Sequence, residues 1–302
     1  MSSACCSPRP IGQAELLAFI DHIRRCTRHD PAGVRPWLIE GRVAGYVGRE
    51  AVALLSERRE LFVPDASGRL GLMPDRYETR TQALAEAAAA LKKAGLVKRL
   101  TGEMYPVETG GEPMAELDRG AVAALGVRAF GVHVNGVVER KDGLHLWIGR
   151  RSPTKETFPN ELDNIVAGGQ PIKLSLEENV VKECEEEASI PADLARSAKP
   201  AGAVTYAMDT EPDMVDQGLR RDVLYCYDLV LPESFTPKPN DGEIAEYRLM
   251  PIADAAAIVE RGFEFKFNCA LVVIDLLIRR GWLKPTHPEY LDLVRGLRSP
   301  TL

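Results

Sequence analysis

The densest concentration of reactive side chains in this chain lies between Gly168 and Ile190. There Glu183, Glu186 and Glu187 follow one another at i, i+3 and i+4. On a helix this spacing places the three carboxylates on one face, where they converge. Acids that close repel one another, and a hard divalent cation with oxygen ligands turns the repulsion into attraction. An isolated Glu-x-x-Glu-Glu is more often a solvated acidic face. Here the cluster follows a strand, Asn164 to Ala167, then Gly168-Gly169 and a loop, and this context favours a cation site. Val180, Val181 and Cys184 fall on other faces and would pack the helix against a sheet.

Elements that could position these groups follow from periodicity. Gln13 to His29 carries Leu16, Leu17, Ile20 and Ile23 at helical spacing. Trp37 to Val47 alternates like a strand, Glu50 to Arg58 returns to helix, and Leu61–Val63 and Leu70–Met73 flank a turn. The Ala-rich stretch from Thr79 to Leu96 predicts a helix. An extended Glu103–Glu108, a turn at Gly110 to Pro113 and a short helix over Asp118–Leu125 come next. From Gly126 the texture changes. Strands are expected at Arg128–Glu139, Leu144–Arg150, Asp163–Ala167, Val204–Met208, Asp222–Leu231 and Glu243–Met250. An acidic helix spans Ser175–Ala188, and helices at Ala253–Arg261, Asn268–Arg280 and Pro288–Leu297 end the chain. The reading is a small α/β domain over residues 1–125 and a larger mixed α/β domain over residues 126–302.

Composition narrows the function classes. Of 302 residues, 45% are hydrophobic and 27% charged, within the globular range. Forty-four acidic against thirty-eight basic residues leave a net charge of −6, which gives no electrostatic case for nucleic acid or an anionic membrane. A small anionic ligand needs only a local basic patch or a metal. The first residues lack the basic and apolar regions of a signal peptide. The most apolar stretch, Cys269–Ile278, contains Asp275 and is too short to span a bilayer. The six cysteines form no C-x-x-C pair and read as reduced thiols of a soluble, cytoplasmic protein, Cys5-Cys6 among them.

The segment from Gly168 to Ile190 resembles the Nudix box, G-x5-E-x7-R-E-U-x-E-E-x-G-U. Gly168 matches the first glycine, Lys182 the arginine, Glu183 the next glutamate, Cys184 the apolar position, Glu186-Glu187 the acidic pair and Ile190 the last apolar residue. Leu174, followed by Ser175, stands where the first glutamate is expected, and Ser189 replaces the final glycine. Further segments resemble one subfamily, the thiamine-pyrophosphokinase-related Nudix hydrolases with an extra N-terminal domain: Gly131–Gly136, Leu146–Lys155, Leu162–Gly169, Asp241-Gly242-Glu243 and Phe265–Asn268. The similarity runs from about Phe19 to Leu283. It implies an α+β fold, a Nudix α/β/α sandwich with a mixed sheet behind a small α/β domain. It also implies hydrolysis of thiamine diphosphate and, preferentially, of damaged oxo- and oxythiamine diphosphate to the monophosphates.

The resemblance gives the residues roles. Glu183, Glu186 and Glu187 would hold Mg²⁺, or Mn²⁺, and neutralise a diphosphate. Lys182 would pair with a neighbouring carboxylate and fix its rotamer. The base varies among Nudix enzymes, a helix glutamate in some and an outside acid in others; of two outside candidates, Glu243 and Glu246, Glu243 is the one expected to have a role at the site. Arg150, Arg151 and Lys155 form a basic patch that could hold the phosphate away from the metal, with surface solvation as the competing reading. Gly168 and Gly169 would border the substrate. His133 reads as a hydrogen-bonded sheet residue and Trp147 as core, while Trp37, Tyr206 and Phe265 are candidates for stacking on an aromatic ring. Alternatives are a Nudix pyrophosphatase of ADP-ribose, a nucleotide sugar or a coenzyme, and a catalytically weak ligand sensor. A Nudix-fold isomerase would need a cysteine in Gly131–Glu139, and none is present.

Overall fold

In the computed structural model, residues 13–211, 214 and 217–300 are described, with the side chains of 13–17 excluded. Cys5, Cys6 and the side chains of Leu16 and Leu17 therefore lie outside the described residues. The first helix, α1 (Gln13–Thr27), leads to a hairpin of β1 (Val34–Ile39) and β2 (Arg42–Gly48). The expected single strand is broken at Glu40-Gly41, both at positive φ (50° and 78°), the geometry of a tight two-residue hairpin turn. Then come α2 (Arg49–Ser56), β3 (Phe62–Pro64), β4 (Leu70–Leu72) and α3 (Tyr77–Lys93). The strands form a mixed sheet in the order β2-β1-β4-β3, with β1 and β4 parallel. Ala83, Leu84, Ala87, Ala88 and Leu91 of α3 join Trp37, Phe62 and Leu70 in one core. A two-stranded ribbon, β5 (Met104–Thr109) with β6 (Glu112–Asp118), completes this unit. The expected turn falls at Gly110-Gly111, but the chain then continues as strand β6, and the helix expected over Asp118–Leu125 is a single 3-10 turn, Arg119–Ala121.

The second unit is built on β7 (Arg128–Arg140). One edge of β7 runs parallel to β12 (Leu219–Val230) along its length. Its other edge pairs first with β10 (Val166–Gly169) over residues 131–134, then with β8 (Gly143–Arg151) over residues 136–140. The sheet extends through β11 (Lys199–Asp209) beside β12 and β13 (Ile244–Pro251) beside β8; β9 (Leu162–Asp163) pairs with β8. The expected strand over 163–167 is thus split, because the chain passes from β8 as neighbour to β7. One sheet face packs on α4 (Leu176–Ala188) and α5 (Ala192–Ala195) through Val132, Val134, Val180 and Cys184. The other packs on α6 (Ile252–Arg261), α7 (Phe267–Arg279) and α8 (Tyr290–Gly296). The architecture is an α/β/α sandwich with a mixed sheet, preceded by a separate α/β unit. The first helix serves the second core: Phe19, Ile20, Ile23 and Cys26 pack among residues of α6, α7 and α8. No helix among the described residues is long and apolar enough to cross a membrane.

Candidate active site

Two local devices hold the acidic helix in place. At its start, Ser175 Oγ accepts from the Glu178 N–H (3.2 Å), and the Glu178 carboxylate accepts from the Ser175 N–H (2.9 Å), a reciprocal capping box. This cap anchors the helix start although Leu174 stands where the box motif has glutamate. At its end, Ser189 takes the left-handed conformation (φ 52°, ψ 35°), the geometry for which glycine is favoured. Its N–H bonds Glu185 O (3.2 Å), Ile190 N–H bonds Cys184 O (2.9 Å), and Ser189 Oγ donates to Lys238 O (3.1 Å).

The three acids then occupy distinct environments. Glu186 is exposed, Glu183 largely buried and Glu187 buried. Lys182 donates to Glu183 (3.1 Å) and Glu186 (2.7 Å), which is the pairing expected of it. Among the described residues Glu187 accepts from the Ala167 N–H alone (3.1 Å). Burial, reinforced by the Asp163 and Glu183 charges, raises the Glu187 carboxyl well above the usual range; burial raises Glu183 as well. A Cβ at Gly168 would overlap the Glu183 carboxyl, so glycine there lets the helix approach β10.

Among the described residues no three carboxylate, imidazole or thiol groups are gathered as a closed metal cluster, and the Lys182 ammonium bonds both Glu183 and Glu186. The donor chemistry nevertheless fits a hard divalent cation: all three side chains are carboxylates, and the largely buried Glu183 lies beside the buried Glu187 on one helix face.

These groups border a cavity of about 590 Å³ between the two units. Lys155, Asp241 and Glu243 line it, and Lys155 and Glu243 form an ion pair. Glu246 lies outside it, bonded to Arg248 and Arg150. Arg150, expected at the phosphate, also lies outside. Its guanidinium donates to Asn160 O (2.7 Å), since alternation along β8 sends neighbouring side chains to opposite faces. Arg151 lines the cavity but is spent internally, donating to Phe158 O (2.9 Å), Thr157 O (2.8 Å) and Asp163 (2.8 Å). It shapes the 157–158 loop. The three stacking candidates are all core residues: Trp37 donates to Leu125 O (2.8 Å), Tyr206 bonds Asp222, and Phe265 is 1% exposed.

The cavity's aromatic surface comes instead from Tyr105, Phe130 and Phe158. Tyr105 belongs to the first unit, with Arg99, Glu103 and Arg119 beside it on the lining. Its hydroxyl sits where a Cβ on Gly169 would be. Arg119 lies over the Tyr105 ring at 6.0 Å and pairs with Glu103 at 2.9 Å. Arg99 reaches across to Glu156 of the second unit at 3.3 Å. These first-unit residues carry no local motif; the only sequence signal was the Gly169 position, whose partner no spacing identifies.

A profile of the NUDIX domain matches residues 129–269, and one described as "Domain of unknown function (DUF4743)" matches residues 18–129. The chain is 38% identical over 300 residues to "Nudix hydrolase 20, chloroplastic" of Arabidopsis thaliana, covering 95% of this chain and 79% of that protein. It is equally 38% identical over 297 residues to "Nudix hydrolase 24, chloroplastic" of the same plant, covering 96% and 80%. Among solved structures, DR0079 from Deinococcus radiodurans superposes with a TM-score of 0.42 at 23% identity, over 57% of this chain and 96% of that one.

Proposed function

The chain belongs to the Nudix hydrolases, enzymes acting on pyrophosphate bonds, and from that premise we propose that it cleaves thiamine diphosphate and, preferentially, its damaged oxo- and oxythiamine analogues to the monophosphate and phosphate. The observation that carries this reading is one continuous cavity running from the acidic face of α4 to the aromatic wall of Tyr105, Phe130 and Phe158, with room for a diphosphate and its ring. The segments resembling the thiamine-related subfamily contribute to it from Gly131, Lys155, Gly168, Glu243 and Lys266.

In this proposal Glu183, Glu186 and Glu187 hold Mg²⁺, with Mn²⁺ as a substitute, and the bound ion supplies charge neutralisation and Lewis acidity. Lys182 keeps the Glu183 and Glu186 carboxylates in fixed rotamers. Lys155 exchanges its ion pair with Glu243 for the incoming phosphate, which frees Glu243 to take the proton of the attacking water. Gly168 and Gly169 let helix and aromatic wall come close to the strand. Arg151 organises the 157–158 loop rather than the phosphate. The ring end favours a neutral thiazolone over a thiazolium. Desolvating a cation costs more, and the Tyr105 ring already faces the Arg119 guanidinium.

The domain division near residue 125 belongs to the same proposal, with α1 assigned to the second core. No nucleic acid or membrane is needed as partner. The buried free thiols among the described residues, Cys26, Cys184, Cys226 and Cys269, suit a reducing compartment, the cytoplasm. Product analysis tests the reaction: oxothiamine diphosphate with Mg²⁺ should give equimolar monophosphate and inorganic phosphate, and a product set without the monophosphate would overturn it.

A further inference from the structure

With one exception, each lysine and arginine on the cavity lining holds an ion pair with a carboxylate. The exception is Lys266, whose ammonium has no ion pair and no hydrogen bond among the described residues. Its main chain is fixed: the N–H donates to Leu162 O (2.8 Å), and the carbonyl accepts from the Cys269 N–H (2.9 Å) at the start of α7. The acceptors on this side of the cavity are taken. Asp163 accepts from Arg151 (2.8 Å), from the Asn164 N–H (2.9 Å) and from the Cys269 thiol (2.7 Å), and Asp222 accepts from Tyr206 and Arg220. An ammonium has three donors and no acceptor, so what Lys266 lacks is an oxygen that a ligand could bring.

Lys266 stands on the sheet face away from the acidic helix. Val132 and Val134 pack with Val180 and Cys184 of α4. Alternation therefore turns His133, between them, to the opposite face, where its register partner Cys226 joins the core containing α7. The Lys266 charge is felt there. Burial and that charge hold the His133 imidazole down at about 4; against the cost of burial, the Lys266 and Arg151 charges hold the Asp163 carboxyl below the usual range. The aromatic wall reaches the same place, since Phe158 packs on Phe267, the residue after Lys266, with ring centroids 5.3 Å apart. A diphosphate neutralised at Glu183, Glu186 and Glu187 thus turns its ring end, not its phosphates, toward Lys266.

We propose that Lys266 Nζ donates a hydrogen bond to a keto oxygen on the substrate's organic ring, and so selects keto-bearing rings over their counterparts with hydrogen or an amine at that position. The assignment rests on the reading of the cavity as the site of a ring-bearing diphosphate, and it names the ring chemistry. Two effects act together. The keto oxygen supplies the missing acceptor in a charge-assisted bond. A thiazolium would instead set a second cation beside Lys266 in a partly desolvated site, where like charges repel. Oxothiamine gains from both effects and oxythiamine, which keeps its thiazolium, from the first alone.

The test compares kcat/KM for oxothiamine diphosphate and thiamine diphosphate in the full chain, as a ratio that the fraction of folded protein does not alter. The wild type should prefer the keto compound by at least about tenfold. Lys266→Met, which keeps the apolar stem, should cut that ratio at least about fivefold, and Lys266→Arg, which keeps charge and donors, should retain most of it. A smaller change in Lys266→Met, or an equal loss on both compounds, which would place Lys266 on the phosphates, would overturn the contact. A wild type that cleaves both compounds equally leaves a thiamine diphosphatase and overturns this inference. If it cleaves neither, the thiamine reading falls by itself. The contact is then judged on ADP-ribose and its hypoxanthine counterpart, which carries a keto oxygen in place of the amine: the keto compound should be preferred, and the preference should shrink in Lys266→Met. Indifference between these two, or cleavage of neither, overturns it.

Discussion

Glu187 carries the largest electrostatic burden in the site, a carboxylate buried beside Asp163 and Glu183 that accepts from the Ala167 N–H. Glu186→Gln or Glu187→Gln should lower kcat at least about a hundredfold with the fold intact, because either removes a charged oxygen donor facing the diphosphate. Near-wild-type turnover by both variants in saturating Mg²⁺ would contradict the metal role. Burial also gives Glu187 a pH signature. Its folded pKa is raised, so above the ordinary value of 4.5 the folded state holds a proton that the unfolded chain has released. Stability in chelator should therefore fall as pH rises from 4.5 through the folded pKa, and Glu187→Gln should flatten that fall. Denaturant midpoints across pH 4.5 to 8 measure it; an unchanged slope in the variant contradicts it. The acidic triplet was legible because i, i+3, i+4 spacing is local. The Lys182 pairing was legible for the same reason, whereas the spending of Arg150 and Arg151 on Asn160 O, Thr157 O and Phe158 O depends on a loop whose path no pattern gives.

The helix α4 keeps its place through its ends. Ser175→Ala removes the side-chain acceptor of the capping box and should cost about 1 kcal/mol. Equilibrium unfolding checks this, and a change below a few tenths of a kcal/mol would mean that the cap adds nothing. Ser189 adopts the left-handed cap that the box motif assigns to glycine, and its hydroxyl bond to Lys238 O partly offsets the strain. Elsewhere the elements were readable where periodicity was long, as in α3 and β7, and misread where geometry depends on pairing. Strand β6 was hidden by Pro113, which a ribbon paired only with β5 can accommodate, and by the alanines after Arg119 that mimic a helix. The split of β9 from β10 follows from which neighbour each joins, a tertiary fact.

At the scale of the molecule the two units share one cavity, and α1 crosses from the first part of the chain into the second core. Deleting residues 1 to 125 would strip Phe19, Ile20, Ile23 and Cys26 from that core, so point changes are the cleaner probe of pocket shaping. Tyr105→Ala should alter the ratio of kcat/KM between ring-bearing diphosphates while leaving the Mg²⁺ concentration for half-maximal rate within about twofold. Unchanged selectivity would reduce the first unit to packing. This shared wall was invisible in the sequence, because Tyr105 and Gly169 meet only after both units fold. The most direct measurement is competition among oxothiamine diphosphate, thiamine diphosphate and ADP-ribose for the full chain in Mg²⁺. The expected order of kcat/KM is oxothiamine diphosphate above thiamine diphosphate, with ADP-ribose poor; a clear preference for ADP-ribose would leave a Nudix hydrolase and contradict the thiamine assignment.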